Sequence, residues 1–117
     1  FYAGRPALTV RRLGAGRAYY LAGRARPPFY DDFYKGLVLR LGVRRALEAD
    51  LPRGVTAGLR TDGGHDYVFV QNFNGRPVSL TLDAREYADV ESGEAYAPGS
   101  RLELPAYGVR VLRRRAT

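Results

Sequence analysis

From Gly54 onward the chain runs in short stretches whose apolar residues recur at every second position, and each stretch stops at a turn signal. "VSLTLD" is the cleanest. Val78, Leu80 and Leu82 fall on one side of a pleat, and Ser79, Thr81 and Asp83 on the other. "RLELP" repeats the pattern, with Leu102 and Leu104 inward and Glu103 outward. "GVTAGLRT" reads as a further strand. "DYVFVQNF" is apolar on both faces: Tyr67, Phe69 and Phe73 on one, Val68 and Val70 on the other. That suits a central strand covered on both sides, or one beside a neighbouring domain. "EYADVESGEAY" holds a short strand and a turn at Ser92–Gly93. "YGVRVLRR" sets Val109 and Val111 on one face and Arg110 on the outer face, which leaves Arg113 to Arg115 as a frayed, solvated end. "DGGH" and "NGRP" supply turns, and the Asn74–Gly75 pair favours a tight hairpin. Short strands broken by turns at intervals of about 8–12 residues predict an antiparallel sandwich or barrel.

The first fifty residues follow a different grammar. "RPALTVRRL" and "RAYYLAG" alternate as strands on either side of "GAG", whose glycines tolerate the positive φ of a tight turn, so a β-hairpin is predicted. Leu8 shares a face with Val10, and Tyr19 with Leu21. "RPPFYDDFYKGLVLRLG" predicts a helix. Pro27 and Pro28 stand at its entrance, Asp31 and Asp32 lie in its first turn to offset the dipole, and Gly42 stops it. Tyr30, Phe33, Tyr34, Leu37, Val38 and Leu41 form its apolar stripe. "RRALEADLPRG" has little strand pattern and contains Pro52 and Gly54, so it reads as a linker with the domain boundary near residue 52. On that reading limited proteolysis starts between Arg44 and Arg53. The predicted fold is mainly β with a small α/β part: an antiparallel β-sandwich over residues 52–117, preceded by a β-hairpin and one helix over residues 1–51.

Several classes of function fall away. With no Cys among 117 residues there is neither a disulfide nor thiolate chemistry. His65 is the sole histidine and sits in a turn, a poor basis for a metal site. No Ser lies in a nucleophile elbow. "Gly14-Ala15-Gly16" lacks the third glycine of a dinucleotide fingerprint, since Tyr19 holds that place. Asp31 and Asp32 point about 100° apart on a helix, which is wrong for a shared scissile bond. Asp83, Glu86, Asp89, Glu91 and Glu94 are the remaining candidates for a glycosidase pair, but they fall on strand exteriors and turns and read as solvated surface. No catalytic, metal-binding or cofactor-binding residue is expected. Of the nine tyrosines, Tyr87, Tyr96 and Tyr107 are the ones whose placement pattern leaves open, and no sugar contact is assigned to them.

The formal charge is +7, from 19 basic and 12 acidic residues. The first thirty residues carry Arg5, Arg11, Arg12, Arg17, Arg24 and Arg26 and no acid. Such asymmetry suits nucleic acid or an acidic partner domain. The arginine run at 113–115 is short for a nucleic-acid arm, so nucleic acid is the less favoured of the two. No apolar run is long enough for a membrane span and no signal peptide is visible. A chain that opens "FYAGRP" and contains no Met reads as a piece of something longer.

Taken in order, these motifs resemble the C-terminal region of glycoside hydrolase family 42 β-galactosidases. "FYAGRPALTVRRLGAGRAYYLAGR" is similar to the strand–turn–strand near the end of that family's middle domain, and "FYDDFYKGLVLRLGV" to the helix after it. "YVFVQNFNGRPVSLTL" and "ADVESGEAY…LELPAYGVRVL" resemble the closing strands. The turn "DGGH" is short for the family, and "NFNGRP" lacks the His often found after the Asn. The resemblance implies a cytoplasmic parent with a catalytic (β/α)8 barrel carrying two glutamates, an amidotransferase-like domain that forms a homotrimer, and a small sandwich. Nothing here matches the barrel, so no catalytic residue carries over. The expected role is a non-catalytic portion of an enzyme that hydrolyses terminal non-reducing β-D-galactose residues, giving structural support and subunit contact. Its partners would be the rest of the parent chain and the other subunits. The alternative is a stand-alone carbohydrate-binding β-sandwich module.

Overall fold

The computed structural model describes residues 8–23 and 26–116. The expected strand start at Arg5 to Ala7 lies outside them, as does Arg24. The chain divides into two compact units, Phe1–Val43 and Arg44–Thr117.

In the first unit β1 (Leu8–Leu13) and β2 (Gly16–Leu21) pair antiparallel, with Leu8 opposite Leu21 and Val10 opposite Tyr19. The register puts the two apolar pairs on one face, as the alternation predicts. Gly14, at φ 59, makes the two-residue turn. Helix α1 (Pro27–Leu41) starts a turn earlier than the sequence suggests. Pro27 and Pro28 lie inside its first turn, where a missing N–H costs nothing and the fixed φ is already helical. Asp31 and Asp32 therefore fall beyond that first turn, which holds no acid, and they do not offset the dipole as expected. At the other end Gly42 adopts φ 64. Its N–H donates to the Leu39 carbonyl, and the Val43 N–H donates to that of Val38, a Schellman closure.

Phe33 packs edge-on to Tyr19 with centroids 5.8 Å apart, and Phe29 stacks on Phe33. Arg40 Nη1 donates to the Tyr19 hydroxyl at 2.8 Å. Beyond these contacts little is covered. Tyr30, Phe33, Leu37 and Val38 are half-buried, but Tyr34 and Leu41 of the same stripe are exposed. No described residue of this unit is buried.

The second unit is a sandwich. β3 (Val55–Thr61), β4 (His65–Asn72), β9 (Val109–Arg115), β6 (Tyr87–Asp89) and β7 (Ala95–Tyr96) form one antiparallel sheet in that spatial order. β5 (Val78–Thr81) and β8 (Arg101–Leu104) form the second sheet, with Leu80 opposite Leu102. Val55, Val68, Val70 and Leu112 from the large sheet meet Leu80, Leu82, Leu102 and Leu104 from the small one in a single core. Leu47 and Ala49 complete that core from the connector. The segment that reads as a linker is thus built into the sandwich, and the compact units meet at Val43/Arg44. Leu47, at 1% exposure, is the physical reason: a buried leucine gains about 1.5–3 kcal/mol over an exposed one.

Two further expectations change. β9 faces the opposite way: Leu112 and Arg114 point into the sandwich beside a half-buried Arg110, while Val109 is exposed. Both phases of "VRVLRR" hold apolar residues, so alternation alone does not set the face. The three terminal arginines are not frayed; Arg113, Arg114 and Arg115 pair with Tyr67, Asp66 and His65 of β4. Nor does Asn74–Gly75 close a hairpin, because β4 and β5 belong to different sheets. The corner is held by buried Asn72. Its Nδ2 donates to the carbonyls of Arg76 and Pro105, and its Oδ1 accepts from the Asn74 N–H.

Candidate functional site

The most developed polar structure lies at the inner ends of β4, β6 and β9. Asp66 is in phase with Val68 and Val70, and Arg114 with Leu112, so the pleat that builds the core also buries both charges. Arg114 Nε and Nη2 each reach Asp66 Oδ2 at 3.4 Å. Its Nη1 donates to the Ala46 carbonyl and to the Tyr87 hydroxyl, both at 2.9 Å. The Tyr87 hydroxyl in turn donates to the Asp83 carboxylate at 2.9 Å, and the Glu48 N–H donates to Asp83 Oδ2 at 3.1 Å. Burial pushes the Tyr87 phenol above its usual range; the Arg114 hydrogen bond opposes the shift and the Asp83 bond adds to it. Every member is satisfied, as a buried network must be to stand. It clasps the connector at Ala46 and Glu48 to the sandwich. Asp66 and Arg114 escaped the sequence reading; Asp66 shares the phase of Val68 and Val70 and could have been found there, whereas Arg114 needed the facing of β9.

The acids considered for sugar hydrolysis take different environments. Glu86, Glu91 and Glu94 are exposed, as expected. Asp89 is not solvated: it is buried, accepts the N–H groups of Glu91 and Ser92, and faces Arg110 at 3.6 Å. Asp83 is half-buried and occupied by Tyr87 and by the Glu48 and Arg85 N–H groups. Hydrogen bonds occupy both carboxylates. Among the described residues no group of His, Asp and Glu is placed to hold a metal ion.

Tyr87 is buried in the clasp. Tyr96 is half-buried; burial, and then the nearby Glu94 carboxylate, raise its phenol above the ordinary range. Tyr107 is exposed and takes φ 55, the left-handed region. His65 borders an open groove of about 1010 Å³ along the β9–β6–β7 end of the large sheet, where Arg85, Arg113 and Arg115 also stand.

Fold and site together define a small antiparallel sandwich with a buried ionic clasp, following a hairpin and helix whose described residues include none that is buried. Family models agree on both parts. The β-galactosidase trimerisation domain matches residues 1–44, and the β-galactosidase C-terminal domain matches residues 54–114. The chain belongs to the glycoside hydrolase family 42 β-galactosidases, in the region of those two domains. It is 43% identical over 116 residues to β-galactosidase BglY of Alicyclobacillus acidocaldarius, covering 99% of this chain and 17% of the relative. To β-galactosidase Pbg of Clostridium perfringens it is 39% identical, covering 98% and 16%. A crystal structure of the Rahnella sp. R3 β-galactosidase superposes with a TM-score of 0.82 at 38% identity, over 98% of this chain and 16% of that one. A family 42 β-galactosidase from G. stearothermophilus gives 0.86 at 34%, over 99% and 16%. The chain thus spans about a sixth of the length of the relatives it matches.

Proposed function

We propose that this chain works as a non-catalytic part of a larger β-galactosidase that removes terminal β-D-galactose. The sandwich supports the assembly and the hairpin–helix unit contributes to contact between subunits of a trimer. The observation that carries this reading is the first unit, whose described residues include none that is buried. Val10, Leu13, Tyr20, Tyr34, Leu39 and Leu41 are each more than half exposed. A surface of that kind needs a covering partner, and it falls in the stretch that matches a trimerisation domain. In the same proposal the parent acts in the cytoplasm, which cell fractionation would check.

The test is a galactosidase assay on the purified chain with a chromogenic galactoside. No turnover is expected, and measurable hydrolysis overturns the reading. Calorimetry with galactose and lactose is expected to show no heat of binding. A saturable signal would favour the stand-alone carbohydrate-binding module instead.

A further inference from the structure

Beyond that structural role, the groove at the β9–β6–β7 end of the large sheet carries a charge pattern of its own. Four arginines line it: Arg114 is paired with Asp66, while Arg85, Arg113 and Arg115 form no ion pair among the described residues. Among the described residues Glu86 is the one carboxylate lining it. Beside Arg113 the lining is small: Ala88 faces it across the strands, and Ala95 lies opposite Ala88 on β7. That leaves room for a main chain. Arg113 and Arg115 are alternate residues of one strand, so they stand on the same face roughly 7 Å apart. Carboxylates at alternate positions of an extended peptide repeat at the same distance.

We propose that this groove docks an extended acidic peptide segment, with Arg113 and Arg115 each meeting an alternate carboxylate and Arg85 closing the side. Charge complementarity selects the occupant. Arginine forks pair two-pronged with carboxylates, and groups left unpaired on a free surface pair at little desolvation cost. Three cations are few for nucleic acid, whose binding by proteins commonly draws on roughly six to ten phosphate contacts.

The experiment is fluorescence anisotropy on the full chain. The probe is a labelled peptide of about eight residues alternating Glu and Val, compared with the same peptide carrying Gln for Glu and with a short oligo-dT. Saturable binding of the Glu peptide is expected, weakening as salt rises and roughly tenfold weaker in the R113Q/R115Q variant. The Gln peptide should not bind. R101Q, a substitution on the other sheet, should leave affinity unchanged. Both altered arginines are exposed, and thermal melting of the variant checks that it stays folded. Three results overturn the proposal: no binding of the Glu peptide, equal binding by R113Q/R115Q, or an equal loss in R101Q. Tighter binding of oligo-dT through the same arginines overturns it in favour of nucleic acid.

Discussion

Arg114 is the residue on which the sandwich's polar interior turns. Replacing it with Ala leaves the Asp66 carboxylate, at 7% exposure, without its countercharge. Breaking one side of a buried pair costs about 3–5 kcal/mol, and urea unfolding should show a loss of that size. Replacing both partners with apolar residues (Asp66→Leu with Arg114→Met) should restore much of it. Asp62 offers a pH test. The His65 N–H, and then the Gly64 N–H, bond its carboxylate and hold it below the ordinary Asp value of 3.8. A lowered folded value means the turn's contribution is present above 3.8 and is lost as pH falls through the folded value. The acid limb of the stability profile should therefore flatten in Asp62→Asn, as followed by circular dichroism from pH 5 downward. Arg114's role is legible only once the pleat's phase is known, because a run of arginines otherwise looks solvated.

Among the elements, the connector departs most from its sequence reading. "RRALEADLPRG" has little strand pattern, and on sequence alone it reads as a linker. Its order comes from Leu47 in the core, the Arg45 Nη2 bond to the Ala49 carbonyl, and the clasp at Ala46 and Glu48. None of these leaves a periodic trace. Leu47→Ala should destabilise the second unit by about 2–5 kcal/mol in denaturant unfolding. It should also open the stretch from Ala46 to Ala49 to protease, where the unaltered chain resists. Had the segment been a free linker, both measurements would stay flat. β5 and β8 were legible from their alternation because only one phase of each is apolar. β9 was legible as a strand but not in its facing. The helix was found and its start misplaced, since prolines mark an entrance without saying on which side of it they stand.

Over the whole molecule the two units differ in what they bury. The second has a closed core; the first has no buried residue among those described. Amide protection follows buried, cooperative structure. Hydrogen exchange should therefore find Val68, Val70 and Leu112 protected for far longer than any amide of β1 or β2. Comparable protection in both would mean the hairpin unit is covered in solution, and analytical ultracentrifugation would identify a self-associated species. The broad architecture was readable because turns and alternation are local signals. Which surfaces lie open was not, since that depends on atoms far apart in the chain.

β9 lies between β4 and β6, yet of the described strands it is the last to be synthesised. Until it emerges, two partners that flank it in the finished sheet have nothing to hold them in place, and the large sheet stays split during synthesis. Long-range pairing of this sort is slow, so the nascent sandwich spends its waiting time with strand edges bare. Expression yield should depend on how quickly that final strand is delivered.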